Sequence, residues 1–182
     1  MSLSLAGSGQ ITGFDPVASG FGGLVAVKHV LKTNTFSASS VSAGANVAVD
    51  DLEIKHEVVD PANRLIITAY FGVAANSNGG GEVGIVVAED GTLLALGDAE
   101  GSVARTTAGG SLAAPSGGVR NSVNPTFTFV HTPGSGEKTY TVRAINTVSA
   151  ARNIFINRLQ DTTLDQSRTR ATSALVIQEV AV

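Results

Sequence analysis

The chain has 182 residues, a formal net charge of −3 and no cysteine, and only 15% of its residues are charged. The length suits one domain with a real core, and the missing cysteines exclude disulfides and thiolate metal sites. Because lysine and arginine form no run, nucleic acid is not expected as the main partner, and no apolar run approaches the roughly 20 residues of a membrane span.

The composition favours β structure. There are 21 glycines, many valines and threonines, seven phenylalanines, two tyrosines and no tryptophan. Valine and threonine prefer strands, and glycine separates them. The N-terminus has neither the basic nor the apolar region of an export signal, so we expect an all-β, soluble protein that is not exported by its own signal.

Residues 1 to 23 hold six glycines and show no sustained periodicity. We interpret them as an extended N-terminal arm ahead of a single domain at 24 to 182. The apolar residues of this segment are spaced as anchors for a neighbouring surface, and they are Ile11, Phe14, Val17 and Phe21. The alternative is an unanchored terminus.

Three strands are predicted in the first part of the domain. Residues 24 to 33 are mostly apolar, and residues 52 to 58 alternate between apolar and polar side chains, which is the period of a strand with one solvated face. A Ser/Ala/Gly-rich loop separates these two. After a turn at 60 to 63 with proline in second place, the run 64 to 75 is nearly all apolar and predicts a strand buried on both faces.

The middle of the chain predicts a hairpin followed by a long loop. Two apolar runs between 82 and 97 flank Asp90-Gly91, the dipeptide most typical of a tight hairpin turn. Residues 98 to 124 are small and glycine-rich, with one weak strand predicted at 103 to 107. Loops of that length are usually functional or poorly ordered.

The string GSGEKT, within residues 134 to 139, looks like a phosphate-binding loop. Glutamate intervenes between the glycine and the lysine, so the spacing of the nucleotide-binding motif fails. Alternating residues on both sides predict strands, whereas a phosphate loop needs a following helix to supply amides and dipole. We therefore predict a hairpin tip and no nucleotide site.

Residues 153 to 159 and 172 to 182 predict two more strands around a polar connection at 160 to 170. The total is about eight to ten short strands without a helix or an internal repeat. Turn signals every 8 to 14 residues favour a β-sandwich or jelly roll of antiparallel strands.

No catalytic, cofactor or metal site is predicted. The histidines, His29, His56 and His131, stand apart from one another and from carboxylates at ligand spacings. The acidic cluster at 50 to 53 lacks the pattern of a calcium loop and is expected on a solvated face. No G-x-S-x-G elbow presents a nucleophilic serine, so we expect a protein that is not an enzyme.

The last third of the chain resembles a known family. Its order is F-T-F-V, T-P-G-S-G, T-Y-T-V-R-A, F-I-N-R, a polar loop and S-A-L-V-I-Q-E-V-A. This resembles C-terminal domains of tailed-bacteriophage structural proteins, namely short tail fibres, head fibres and capsid decoration proteins. The match covers residues 126 to 182, with fixed points at Tyr140, Arg143, Asn157, Arg158 and Glu179.

The resemblance implies a jelly roll of the tumour-necrosis-factor kind that assembles as a homotrimer. Arginines pair well with carboxylates across interfaces, and the last strand would supply apolar contact. The expected trimer interface residues are Arg143, Arg158, Leu175, Ile177 and Glu179.

A short arm without shaft repeats suits a capsid decoration (cement) protein on the exterior of the virion. Its partners would be itself and the major capsid protein, held by strand addition and by many copies. One alternative is a short tail-fibre tip whose loops at 76 to 81 and 98 to 124 recognise a bacterial surface polysaccharide. A second is a carbohydrate-binding β-sandwich module, which the scarcity of aromatic residues disfavours.

Overall fold

The computed structural model describes residues 4–5, 11–12, 23–75, 82–111, 124–158 and 171–182. Within these ranges the regular structure consists of strands, and no helix is present, so none could span a membrane. All strand pairs found there are antiparallel. The prediction of an all-β, sandwich-like protein is confirmed.

The strands in chain order are β1 (Ser4–Leu5), β2 (Ile11–Thr12), β3 (Leu24–Lys32), β4 (Phe36–Val41), β5 (Asn46–Val58), β6 (Arg64–Tyr70), β7 (Val73–Ala75), β8 (Glu82–Glu89), β9 (Thr92–Leu93), β10 (Ala108–Ser111), β11 (Thr126–His131), β12 (Gly136–Asn146), β13 (Arg152–Ile156) and β14 (Ser173–Val180).

Two large sheets enclose the core. The first sheet has the order β11-β6-β14-β3, and the second sheet has the order β10-β8-β12-β5, with β9 added beside β8. Alternate side chains of both sheets point between them and are fully buried, as Leu65, Ile67, Ile85, Val142 and Ile177 illustrate. The period-2 pattern in the sequence therefore marks the inner faces. A smaller third sheet, β4-β13-β7, completes the described fold.

The pairing of eight strands in the two large sheets is nested. β3 pairs with β14 and β5 with β12, while β6 pairs with β11 and β8 with β10. The chain is thus laid out like one long hairpin whose two arms are rolled together across both sheets. As a consequence, the first and last strands of the domain are neighbours in the first sheet.

The prediction that GSGEKT forms the tip of a hairpin is wrong. β11 pairs with β6 in the first sheet, whereas β12 pairs with β5 and β8 in the second. The connection at 132 to 135 therefore crosses from one sheet to the other. Alternation identifies a strand but carries no information about its partner. The segment after the glycine-rich string is a strand, as predicted.

The hairpin at Asp90-Gly91 is confirmed. Both residues have positive φ, 48° and 87°, as a two-residue turn of type I′ requires. The flanking pairs are Ala88 with Leu93 and Glu89 with Thr92.

Three other strand predictions need correction. The run 64 to 75 is divided, because the chain leaves the first sheet after Tyr70 and β7 joins the third sheet. A Cβ on Gly72, at this division, would lie 2.3 Å from the Cβ of Ala171. The predicted loop after residue 33 contains β4, a strand of mostly small side chains. The weak strand predicted at 103 to 107 is also misplaced, because the strand in this part of the chain is β10.

The described part of the arm consists of two short antiparallel strands. Ser4 of β1 pairs with Thr12 of β2, and Leu5 pairs with Ile11. Ile11 is described by its backbone alone. The other predicted anchors, Phe14, Val17 and Phe21, lie outside the described residues, as do 76 to 81, 112 to 123 and 159 to 170.

Candidate functional site

An open cleft lies at one end of the second sheet, where three connections meet. Its volume is about 800 Å³, within the usual range of small-molecule sites. The walls come from the β4–β5 turn, the connection before β10 and the β12–β13 loop. The lining residues are Ala43, Gly44, Val83, Ser102, Val103, Ala104, Thr106, Gly109, Thr147, Val148 and Ser149. We call it the neutral cleft, because none of these side chains is charged.

Asn146 fastens two walls of the neutral cleft to each other. This fully buried residue donates from Nδ2 to the carbonyls of Val41 and Ala150, at 2.8 Å each, and its Oδ1 accepts from the Val148 amide at 3.1 Å. Its carbonyl also accepts from the Gly44 amide at 2.8 Å, and its own amide donates to Ala45. A buried amide with all these partners holds both loops in one arrangement.

The third wall lies over Gly84 of β8. A Cβ on Gly84 would be 2.0 Å from Cγ2 of Thr106 and 3.2 Å from Cγ2 of Thr147, so this position needs glycine for close approach. The Thr107 amide donates to the Ile85 carbonyl at 3.1 Å, and the Thr107 hydroxyl donates to the Leu94 carbonyl at 3.1 Å. The connection before β10 is therefore attached to the sheet at its base.

The polar groups that the cleft offers are mainly hydroxyls. Ser102, Thr106 and Ser149 contribute one each, between the apolar surfaces of Val83, Val103 and Val148. The Thr147 hydroxyl oxygen is covered and has no hydrogen-bond partner among the described residues. The described lining residues include no carboxylate, histidine, lysine or arginine.

Glu179 is the centre of a separate buried polar cluster. Its carboxylate accepts from Asn63 Nδ2 at 2.7 Å, lies 2.8 Å from His56 Nε2, and accepts from the amides of Val59 and Asp60. Burial raises the pKa of this carboxyl, but the hydrogen bonds from Asn63, His56 and the two amides lower it further, so the net pKa is below its ordinary value. The cluster ties β14 to the turn after β5.

Tyr140 and Glu89 form a second polar cluster between the sheets. The tyrosine hydroxyl donates to Glu89 Oε1 at 2.8 Å, and His131 Nε2 lies 3.2 Å from the same oxygen. Burial, followed by the bond to Glu89, raises the pKa of Tyr140, so the phenol stays neutral. Asp90 lies alongside and accepts from the Thr139 amide at 2.9 Å.

Lys32 is a buried cation at the end of β3. Its Nζ lies 2.7 Å from Asn34 Oδ1, 3.5 Å from Asp51 Oδ2 and 3.6 Å from Asp50 Oδ1. A bulge in β5, where Asp51 has a φ of 58°, turns the two aspartates toward this amine. The bond from Asn34, followed by the charge of Lys32, lowers the pKa of Asp51. The predicted acidic cluster is therefore partly a counter-charge for a buried lysine.

The prediction of the trimer interface is wrong for three residues. Leu175, Ile177 and Glu179 are fully buried inside a single chain, because odd-numbered residues of β14 face the core, so their side chains do not reach another subunit. Arg143 and Arg158 are half-buried at the surface. Arg143 donates a hydrogen bond to Asn46 Oδ1, and the guanidinium carbon of Arg158 lies 5.2 Å from the ring centre of Phe155. A role of these two arginines in a trimer interface stays a prediction.

The outer face of the first sheet carries a continuous uncharged surface. Cross-strand registers arrange it as three rows, each crossing β3, β14, β6 and β11 in turn. The rows are Leu31-Ala174-Tyr70-Thr126, His29-Val176-Thr68-Thr128 and Val27-Gln178-Ile66-Val130. We call these twelve residues the uncharged face.

Several apolar side chains of the uncharged face are open to solvent. Val27 is 49% exposed, Leu31 52%, Val130 65% and Tyr70 37%. In its middle row the hydroxyls of Thr68 and Thr128 are 2.9 Å apart and bond to each other. The face includes one of the predicted loop or strand histidines, His29, and no carboxylate, lysine or arginine.

The outer face of the second sheet differs. Glu53, Lys55 and Glu57 of β5 are exposed there, beside Glu137 of β12. The described residues contain no group of three or more histidine, aspartate or glutamate side chains placed to hold a metal ion.

Comparison of the sequence with models of known protein families and with curated proteins gives no match. The functional argument therefore depends on the residues themselves. Sequence reasoning missed Gly84, Asn146 and Thr147, which build the neutral cleft. Nothing in the linear pattern marks them, since each is an ordinary residue of a strand or a strand end.

Proposed function

We propose that the protein is a non-enzymatic structural protein of a bacteriophage virion, a homotrimer that decorates the outside of the capsid. The observation that carries the proposal is the uncharged face. The strand order, the resemblance of the last third of the chain and the contrast with the charged second sheet support it.

The nested strand order favours a jelly roll. Four strands in the first sheet and four in the second, leaving aside the two-residue β9, place the first strand beside the last; this order supports a jelly roll, a fold that recurs in viral capsid proteins and also in lectins. Because a fold does not define a function, the strand order supports the virion assignment without deciding it.

Burial of the uncharged face against another copy removes no charge from water. Exposed apolar surface gains about 25 cal/mol for each Å² that is buried, while an unpaired buried charge costs several kcal/mol. Twelve residues on four strands cover roughly 400 Å², from strand spacings of about 4.8 Å and rises of about 3.3 Å per residue. This is about half of a usual interface on one partner, so the face forms the centre of a larger contact.

The first test is self-association. Light scattering at micromolar concentration should give a mass of three times 18.4 kDa. Val130→Lys places a charge in the uncharged face and should convert the trimer to monomer. The matched control is Val59→Lys, because Val59 and Val130 are each 65% exposed but Val59 lies in the turn after β5.

A monomeric wild-type chain would contradict the trimer, and equal effects of the two lysines would contradict the role of the uncharged face. A stable dimer would keep the face and overturn the threefold assembly.

Capsid binding is tested separately. The chain should co-sediment with shells of the major capsid protein from the same virion, and deletion of residues 2 to 23 should abolish that binding while the trimer persists. Binding to host cells without binding to capsids would instead favour a receptor-binding tip.

A further inference from the structure

The neutral cleft is a preformed site with a restricted choice of ligands. Asn146 joins two of its walls, and Thr107 attaches the third to β8, so the site exists before any ligand arrives. We propose that the neutral cleft binds an uncharged carbohydrate. The inference goes beyond the proposed capsid role and does not depend on it.

The described lining residues favour an uncharged ligand. Phosphates, carboxylates and sulfates are bound in proteins mainly by arginine, lysine or helix N-termini, and no arginine or lysine is among the described lining residues. Cations need carboxylate or several carbonyl ligands in a compact shell, and the described lining includes no carboxylate. The nearest cationic side chain in sequence, Arg105, is not among the lining residues and donates from Nε to the Gly97 carbonyl at 2.6 Å.

The lining also argues against an apolar ligand and against a peptide. The hydroxyls of Ser102, Thr106 and Ser149 would lose their water to an apolar molecule without gaining partners. A peptide strand binds by main-chain pairing, but many amides around the cleft are already used. Those of Gly44, Ala45, Asn146 and Val148 all donate within the walls.

A sugar fits both the hydroxyls and the apolar surfaces of the neutral cleft. Its hydroxyls can both donate to and accept from serine and threonine side chains, and its C–H faces can pack on Val83, Val103 and Val148. The described part of the 98 to 124 loop supplies Ser102, Val103, Ala104 and Thr106 to this site, on the segment that the sequence suggested for glycan contact.

The test uses the full chain labelled with ¹⁵N. Maltotriose and triacetylchitotriose serve as neutral probes, and sialyllactose serves as a charged one, each titrated to tens of millimolar. We expect the neutral probes to shift the amide signals of Ser102, Thr106, Thr147 and Ser149. Binding to a single site made of hydroxyls should be weak, near the millimolar range, and raised by multivalency in an oligomer.

A matched pair of variants locates the site. Ser102→Glu puts a carboxylate in the cleft and should weaken binding about tenfold or more, whereas Ser39→Glu, at another exposed serine on β4, should leave it unchanged. Shifts at other residues, tighter binding of sialyllactose, or no shift with any neutral probe would each overturn the inference. None of these outcomes affects the molar mass or capsid measurements, so the two proposals fail independently.

Discussion

The two outer faces of the sandwich follow the same alternation and have opposite surface chemistry. On the second sheet the outward positions include Glu53, Lys55, Glu57 and Glu137. On the first sheet the twelve corresponding positions hold valine, leucine, isoleucine, threonine and other uncharged residues. The inward residues of both sheets are buried in one core, so the difference in charge concerns the surfaces that each sheet turns outward.

A single strand contributes residues both to the core and to the outer surface. In β14, Leu175 and Ile177 point inward and are fully buried, while Val176 and Gln178 point outward and stay half-exposed. Inward residues should determine folding stability, and outward residues should determine assembly. Substitutions on the two sides can separate these properties.

The largest effect on stability is expected inside. Ile177→Ala should lower the free energy of unfolding by about 2–5 kcal/mol, because it removes a fully buried side chain and leaves a cavity. Val176→Ala, its outward neighbour, should cost about 1 kcal/mol or less. Urea denaturation of the two variants measures the difference, and equal losses would contradict the inward and outward assignment.

Glu179 tests the polar part of the interior. Glu179→Gln should cost about 3 kcal/mol at neutral pH, because it removes the charged partner of His56 and Asn63. The folded pKa lies below the ordinary value of 4.5, so the carboxylate stabilises the fold above the unfolded pKa, and this contribution is lost as the pH falls through the folded pKa.

The wild type and Glu179→Gln should therefore differ most near neutrality and converge in acid. Thermal unfolding across this pH range provides the measurement. A difference in stability that stays constant with pH would show that ionisation of Glu179 does not contribute to folding.

The smallest effect is expected on the charged outer face. Lys55→Glu changes an exposed side chain of the second sheet and should alter the free energy of unfolding by no more than about 0.5 kcal/mol. It should also leave the molar mass unchanged, in contrast to Val130→Lys. Loss of the oligomer in Lys55→Glu would move the interface to the second sheet and remove the distinction between the faces.

The sequence predicted much of the local structure. Alternation located the strands at residues 52 to 58, 126 to 130 and 139 to 144, and Asp90-Gly91 located a hairpin turn. It missed β4, because the small polar residues of FSASSV resemble a loop when their neighbours are unknown. The trimer residues on β14 were assigned without knowing which side of that strand faces the core.

By itself, the sequence determined that the chain is built of antiparallel strands, because side-chain period and turn chemistry are local properties. Only the tertiary structure decided which strands pair, which face stays uncharged, and where the neutral cleft forms. These features bring together distant residues, such as His56 and Glu179, which are 123 positions apart. Packing between the sheets selects such pairs, and that selection leaves no pattern in neighbouring residues.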